Sequence, residues 1–128
     1  MQGNNKKEMS PSAQEVARIL TKHRFVLSNE KTLQMEIEKL FVDNSLVFRR
    51  EYFLDVSKHN IVDFMVKGGI GIEVKLRCNK RAIYEQLLRY SQFEEVQELI
   101  LVTATNTGMP TELNGKPVRI INISRAWL

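Results

Sequence analysis

Eighteen residues, NIVDFMVKGGIGIEVKLR (60–77), set most of the terms on which this chain can fold. A nearly unbroken apolar run with Gly68-Gly69 at its middle has to double back as a hairpin, with strands near 61–66 and 70–77. Side chains alternate along a strand, so Ile70, Ile72, Val74 and Leu76 share one face, and Gly71, Glu73, Lys75 and Arg77 share the other. A two-residue Gly68-Gly69 turn would pair Lys67 with Ile70 and send Asp63 and Glu73 to opposite faces. A three-residue loop, 67–69, pairs Val66 with Ile70, Phe64 with Ile72 and Val62 with Val74. That register makes one face wholly apolar, and a one-residue slip would scatter it, so the hydrophobic pattern selects it. It also sets Asp63 directly opposite Glu73, with Cβ atoms about 5 Å apart.

Two carboxylates so close repel each other unless a cation neutralises them. A hard divalent ion such as Mg²⁺ or Mn²⁺, which favours oxygen ligands, would remove that cost. Lys75, on the same side of its strand, is placed to hold a phosphate or to help activate a metal-bound water. The plainer alternative is a solvated hairpin face with Lys75 offsetting the acids. The neighbours Ile61, Met65 and Gly71 make a poor solvated face and favour the functional reading.

The rest of the chain frames this hairpin. A polar stretch of residues 1–11 is expected to be loosely docked, followed by a short basic helix, AQEVARILTKHR, capped by Ser12. A second helix, SNEKTLQMEIEKLFVDN, is expected from Ser28 as N-cap, with Leu33, Ile37, Leu40 and Phe41 at helical spacing. SLVFRREYFLDV reads as a strand and NKRAIYEQLLRYSQFEEV as a helix. ELILVTA reads as a wholly apolar strand buried on both faces. NTGMPTELNGKP reads as a loop and VRIINIS as a last strand. Helix, three strands, helix, strand, strand implies an α/β domain with a mixed central sheet flanked by helices.

The chain has 128 residues, enough for one core, and 19 Lys and Arg against 15 Asp and Glu. That modest excess of positive charge suits a nucleic-acid partner without requiring one. The single cysteine, Cys78, excludes an internal disulfide and a cysteine-rich zinc site and is expected to be a bystander thiol. His23 and His59 have no partner at metal-ligand spacing. No run is long and apolar enough to span a membrane, and the N-terminus carries no apolar segment of a secretory signal, so the expected compartment is the cytoplasm.

Asp63 followed by Glu73-Val74-Lys75 across a tight hairpin resembles the PD-(D/E)XK nuclease superfamily. The resemblance covers roughly residues 28–105, with 1–27 as an N-terminal extension and 28–128 as the nuclease-like domain. It implies a restriction-endonuclease-like αβββαβ core of the RecB or Holliday-junction-resolvase kind. Gln86 and Tyr90 look like the QxxxY motif of the RecB-type branch and share one face of the second core helix. The family's proline before the aspartate is Val62 here, which departs from the pattern.

The resemblance implies Mg²⁺ or Mn²⁺ held by Asp63, Glu73 and the Val74 carbonyl, with Glu30 or Glu36 as the carboxylate of the leading helix. Glu30 lies within the apolar stripe of that helix and Glu36 on its flank, so Glu30 is preferred; its ordinary role would be to favour the helix dipole. Asp63, Glu73, Lys75 and Glu30 are the expected catalytic residues. Gln86, Tyr90, Arg77, Lys80 and Arg81 are the expected DNA contacts. Tyr84 and Trp127 are able to stack on bases, with packing the simpler role. The function implied is a metal-dependent deoxyribonuclease, structure-selective or accessory, acting as a homodimer or as a subunit of a larger nucleic-acid-processing assembly. The alternative is a catalytically inactive nuclease-fold module that binds nucleic acid or another protein.

Overall fold

The computed structural model describes residues 9–124. Trp127 and the expected polar stretch before Met9 lie outside the described residues. The elements are α1 (Pro11–Lys22), α2 (Glu30–Asp43), β1 (Phe48–Phe53), β2 (Ile61–Val66), β3 (Ile70–Lys75), α3 (Lys80–Ser91), β4 (Glu98–Thr103), β5 (Glu112–Leu113) and β6 (Lys116–Asn122). A short 3₁₀ turn, Lys58–Asn60, joins β1 to β2. The six strands form one mixed sheet in the order β1-β2-β3-β4-β6-β5. β1, β2 and β3 are antiparallel, β4 runs parallel to both β3 and β6, and β5 closes a hairpin onto β6.

The expected helices form, with their caps shifted by one or two residues. Ser10, not Ser12, caps α1 through Ala13 N–H, and Pro11 occupies the first turn, where its missing N–H costs nothing. Asn29, not Ser28, caps α2 through Thr32 N–H at 2.8 Å. Asn79 caps α3 in the same way.

β4 separates two cores. Ile100 and Val102 enter the cluster under α1 and α2, while Leu99 and Leu101 enter the cluster under α3. A strand buried on both faces has no polar side to show, hence the unbroken apolar reading. α1 belongs to the first core: Ala13, Val16, Ala17 and Leu20 are buried with Phe41, Phe64 and Ile72. Glu98 at the start of β4 accepts hydrogen bonds from the Ser10 backbone N–H and hydroxyl, tying the helix to the sheet. The expected boundary at residue 28 therefore does not describe the packing, because burying the apolar stripe of α1 makes it part of the domain.

The expected loop before β6 contains β5, which turns at Asn114-Gly115, both with positive φ. An Asn-Gly pair is the strongest short hairpin signal in a sequence.

The β2–β3 hairpin takes the expected register, Val66 with Ile70 and Phe64 with Ile72, around Gly68 and Gly69, both left-handed. The ladder stops there, however, and Asp63 and Glu73 are not ladder partners. The expected common face also breaks. Phe64 and Val66 enter the α1/α2 core, whereas Val62 enters the α3 core. β1 turns over at the same step: Phe48 packs with the first core and Tyr52 with the second. The pivot is Glu51, a non-glycine residue at φ +49°, whose register position opposite Asp63 is the one skipped between the pairs Arg50–Phe64 and Tyr52–Val62. A left-handed residue rotates the following side chains relative to the preceding ones, as a bulge does.

Candidate active site

Where β2 leaves the ladder, side chains replace the missing backbone pairing. Asp63 Oδ2 accepts the Val74 N–H at 2.7 Å, and the Glu73 carboxylate accepts the Asp63 N–H. These reciprocal bonds bring together the two carboxylates expected to meet, by a different route from a cross-strand pair.

Glu73 is 2 % exposed, and Asp63 is largely enclosed. Burial raises the Glu73 carboxyl to about 8, with the Asp63 charge adding to the shift and Lys75 opposing it. Burial likewise raises Asp63 to about 6, against the favourable Val74 N–H bond and the nearby cations Lys75 and Arg50. Desolvation is the larger cause at both positions, so the pair is a deficit of cation in a low-dielectric site. Lys75 Nζ lies 3.7 Å from Glu73 Oε2 with its side chain 30 % exposed, so this ammonium reaches both the acid and solvent.

Glu30 is the α2 carboxylate whose charge is felt at Asp63. It is the first residue of α2, and its negative charge contributes to raising Asp63. Glu36 is engaged elsewhere, accepting from His23 at 3.0 Å and from Val26 N–H at 3.2 Å, where it fastens the α1–α2 connection.

Tyr90 requires correction. Its ring is fully buried, so the expected contact with DNA is closed to it. The hydroxyl donates to the Ile61 carbonyl at 2.7 Å and accepts from Gln86 Nε2 at 2.8 Å, and it lies 3.4 Å from Glu73 Oε1. Burial and the charge of Glu73 hold the Tyr90 proton in place. Gln86 and Tyr90 thus form a bracket on α3 that positions Glu73 and the start of β2. Gln86 remains half-buried.

Arg50 is a participant that the sequence analysis did not single out. It bonds Glu38 at 3.0 Å and Gln34 at 2.9 Å on α2, and its guanidinium lies 5.1 Å from the centre of the Phe64 ring. Its positive charge reaches Asp63. Arg50 therefore ties the helix bearing Glu30 to the strand bearing Asp63. The available signal was strand parity, which gives Arg50 the face of Phe48 and leaves Arg49 to solvent.

Among the remaining cations, Arg89 is bound to the 3₁₀ turn through Asn60 and the His59 carbonyl. Arg81 pairs with Glu85 at 3.5 Å on the exposed side of α3. Arg77 and Lys80 are exposed and carry no ion pair among the described residues.

The donor set can be compared with a divalent ion. Among the described residues no cluster of three or more His, Cys, Asp and Glu side chains stands ready for a metal. Two carboxylates and a carbonyl nevertheless match Mg²⁺, which commonly takes one or two protein carboxylates and completes its shell with water and substrate phosphate. The raised affinity of both acids for protons is the electrostatic counterpart, since a second cation would replace them. Comparisons with protein-family models, curated proteins and solved structures found no match for the chain.

Proposed function

We propose that this protein is a metal-dependent deoxyribonuclease built on a PD-(D/E)XK-like core. The observation that carries the reading is the buried, mutually repelling pair Asp63 and Glu73, held where β2 and β3 part, with Lys75 beside it. A chain gains nothing in stability from two desolvated acids and one partly exposed ammonium. Such an arrangement suits a site that completes itself with a cation and a phosphodiester. The order helix, three strands, helix, strand from Glu30 to Thr103 agrees with that core.

Asp63, Glu73 and the Val74 carbonyl would hold Mg²⁺ or Mn²⁺, with Glu30 near enough to order its waters. The ion would supply Lewis acidity and an acidified water. Lys75 donates hydrogen bonds to the phosphate or its attacking water and offsets negative charge as the pentavalent arrangement forms. The Val74 and Asp63 N–H groups and the Tyr90 bracket keep both carboxylates fixed before substrate arrives, so little reorganisation remains for the reaction. Arg77 and Lys80 continue the positive surface past the end of β3. A structure-selective or accessory role fits a core of this size, with DNA as the partner.

The inactive binding module is favoured by one observation, the 3.7 Å approach of Lys75 to Glu73, which partly neutralises the acid without a metal. The deciding assay incubates labelled single-stranded, duplex, circular and branched DNA with Mg²⁺, Mn²⁺ or EDTA, using wild type and Lys75→Ala. Metal-dependent cutting by the wild type that disappears in Lys75→Ala is expected. Absence of cutting on every substrate, with salt-sensitive binding retained, would establish the binding module instead.

A further inference from the structure

Beyond Lys75 the parallel strands β3 and β4 end together, with Lys75 paired to Thr103. A cleft of about 490 Å³ opens there. One side is apolar: Leu27, Leu76 and Ala104 are partly buried and form the margin of the first core. The other side is polar and underused. Arg77 is exposed without an ion pair among the described residues, and the Ser28 hydroxyl, also exposed, has no hydrogen bond among them. Among the described residues Thr105 hydrogen-bonds only to Thr103, its hydroxyl at 3.1 Å. In open α/β sheets the carboxyl ends of parallel strands are where ligands settle.

We infer that this cleft is a nucleotide subsite for the DNA strand that enters the candidate active site. Arg77, with Ser28 and Thr105, takes a backbone phosphate, and the sugar and base lie against Leu27, Leu76 and Ala104. The assignment rests on the nuclease reading for the identity of the strand, but its geometry is independent of cleavage. Only Leu76 separates Arg77 from Lys75, so their Cα atoms are at most about 7 Å apart, roughly two steps of stacked DNA. A strand whose scissile phosphate meets Lys75 therefore brings a neighbouring phosphate within reach of Arg77. The guanidinium suits that role because its planar fork matches phosphate oxygens. The mixed lining argues for a whole nucleotide rather than a bare anion, since an anion would leave the apolar wall unused.

The cleft contains its own reporter. Cys78, the chain's one cysteine, lines it, half-buried, with its thiol 3.3 Å from the Thr103 hydroxyl. The test uses wild-type protein in EDTA, so that bound DNA stays uncut, and a single-stranded oligonucleotide of about 12 nucleotides, within the usual range of single-strand sites. Iodoacetamide labelling of Cys78 is followed by mass spectrometry while binding is followed by fluorescence anisotropy. Saturating DNA is expected to slow labelling several-fold. Arg77→Ala is expected to weaken binding, to lower the salt slope by about 1, and to lose the protection at the same DNA concentration.

Inorganic polyphosphate serves as a base-free probe and is expected to protect little; equal protection would overturn the nucleotide assignment. Labelling that is unchanged when anisotropy reports saturation would overturn the subsite itself. So would Arg77→Ala behaving as wild type. Metal-dependent cutting with Cys78 unprotected would sink the cleft and leave the nuclease reading intact. Protection without cutting in any metal would do the reverse, and failure to bind DNA would sink both.

Discussion

Replacing Glu73 by Gln isolates the electrostatic cost on which the proposed site depends. The Glu73 carboxyl is raised by burial and by Asp63 from 4.5 to about 8. Between those values the folded protein binds more protons than the unfolded chain, so stability falls as pH rises through the window and the loss is complete above about 8. One proton contributes about 1.4 kcal/mol per pH unit, so from pH 5 to pH 8 the metal-free wild type should lose up to roughly 4 kcal/mol. Asp63, raised to about 6, acts in the same direction over the lower part of the range.

Gln keeps the shape and an acceptor for the Asp63 N–H but has no charge to lose. Urea denaturation of both proteins in EDTA at pH 5, 6, 7 and 8 measures the difference, and groups common to both cancel. The variant should be close to wild type at pH 5 and more stable by about 2–4 kcal/mol at pH 8, with an unchanged m-value. For a domain of this length that corresponds to a melting temperature higher by roughly 6–15 °C. A pH-independent difference, or a wild type that gains stability between pH 5 and 8, would refute the claim that Glu73 is ionised at a cost. Mg²⁺ or Mn²⁺ should restore the wild type at pH 8 and do nothing for the variant, because binding favours the ionised, folded form.

Asp63→Asn should likewise abolish the rise in melting temperature that Mn²⁺ gives the wild type, a comparison readily made by differential scanning fluorimetry; a rise that survives would place the metal elsewhere. Tyr90→Phe removes the bonds to Ile61 and Gln86 and leaves the part-buried Ile61 carbonyl without its Tyr90 donor, so chemical denaturation should show a loss of about 1–2 kcal/mol. At the hairpin tip a Cβ on Gly69 would lie 2.6 Å from the Glu95 carbonyl oxygen and 2.8 Å from Gln97 Cγ, whereas one on Gly68 would meet nothing within 4 Å. Both positions are left-handed. Gly68→Ala should therefore cost about 1 kcal/mol and Gly69→Ala clearly more, and equal losses in urea titrations would contradict the packing described.

Local chemistry made much of this protein legible in its residues. The alternation of Val66, Phe64, Ile70 and Ile72 admits one hairpin register, since a slip by one residue would expose the core face. The helical spacing of Leu33, Ile37 and Phe41 marks α2, and the apolar run of β4 marks a strand covered on both sides. That register brought Asp63, Glu73 and Lys75 onto neighbouring strands, so the residues of the candidate site were present in eighteen residues, although side-chain bonds rather than cross-strand pairing bring the two acids together. The Asn114-Gly115 hairpin was equally present and passed as loop, because it sat among other turn formers.

Tertiary structure decided the remainder. Alternation predicts faces only while a strand keeps its twist, and the left-handed Glu51 ends that at the step opposite Asp63. Val62 then crosses to the other core and Asp63 turns its carboxylate to Val74. Whether Tyr90 meets DNA or Glu73 depends on which layer α3 packs against, a contact between segments distant in the chain that no helical spacing encodes. The same holds for Arg50, whose partners lie on α2, and for α1, which belongs to the domain because its apolar stripe finds the sheet. Sequence determined which groups stand near one another along two strands; only the packing of layers determined which of them lose water, and with it the charge balance that gives the site its chemistry.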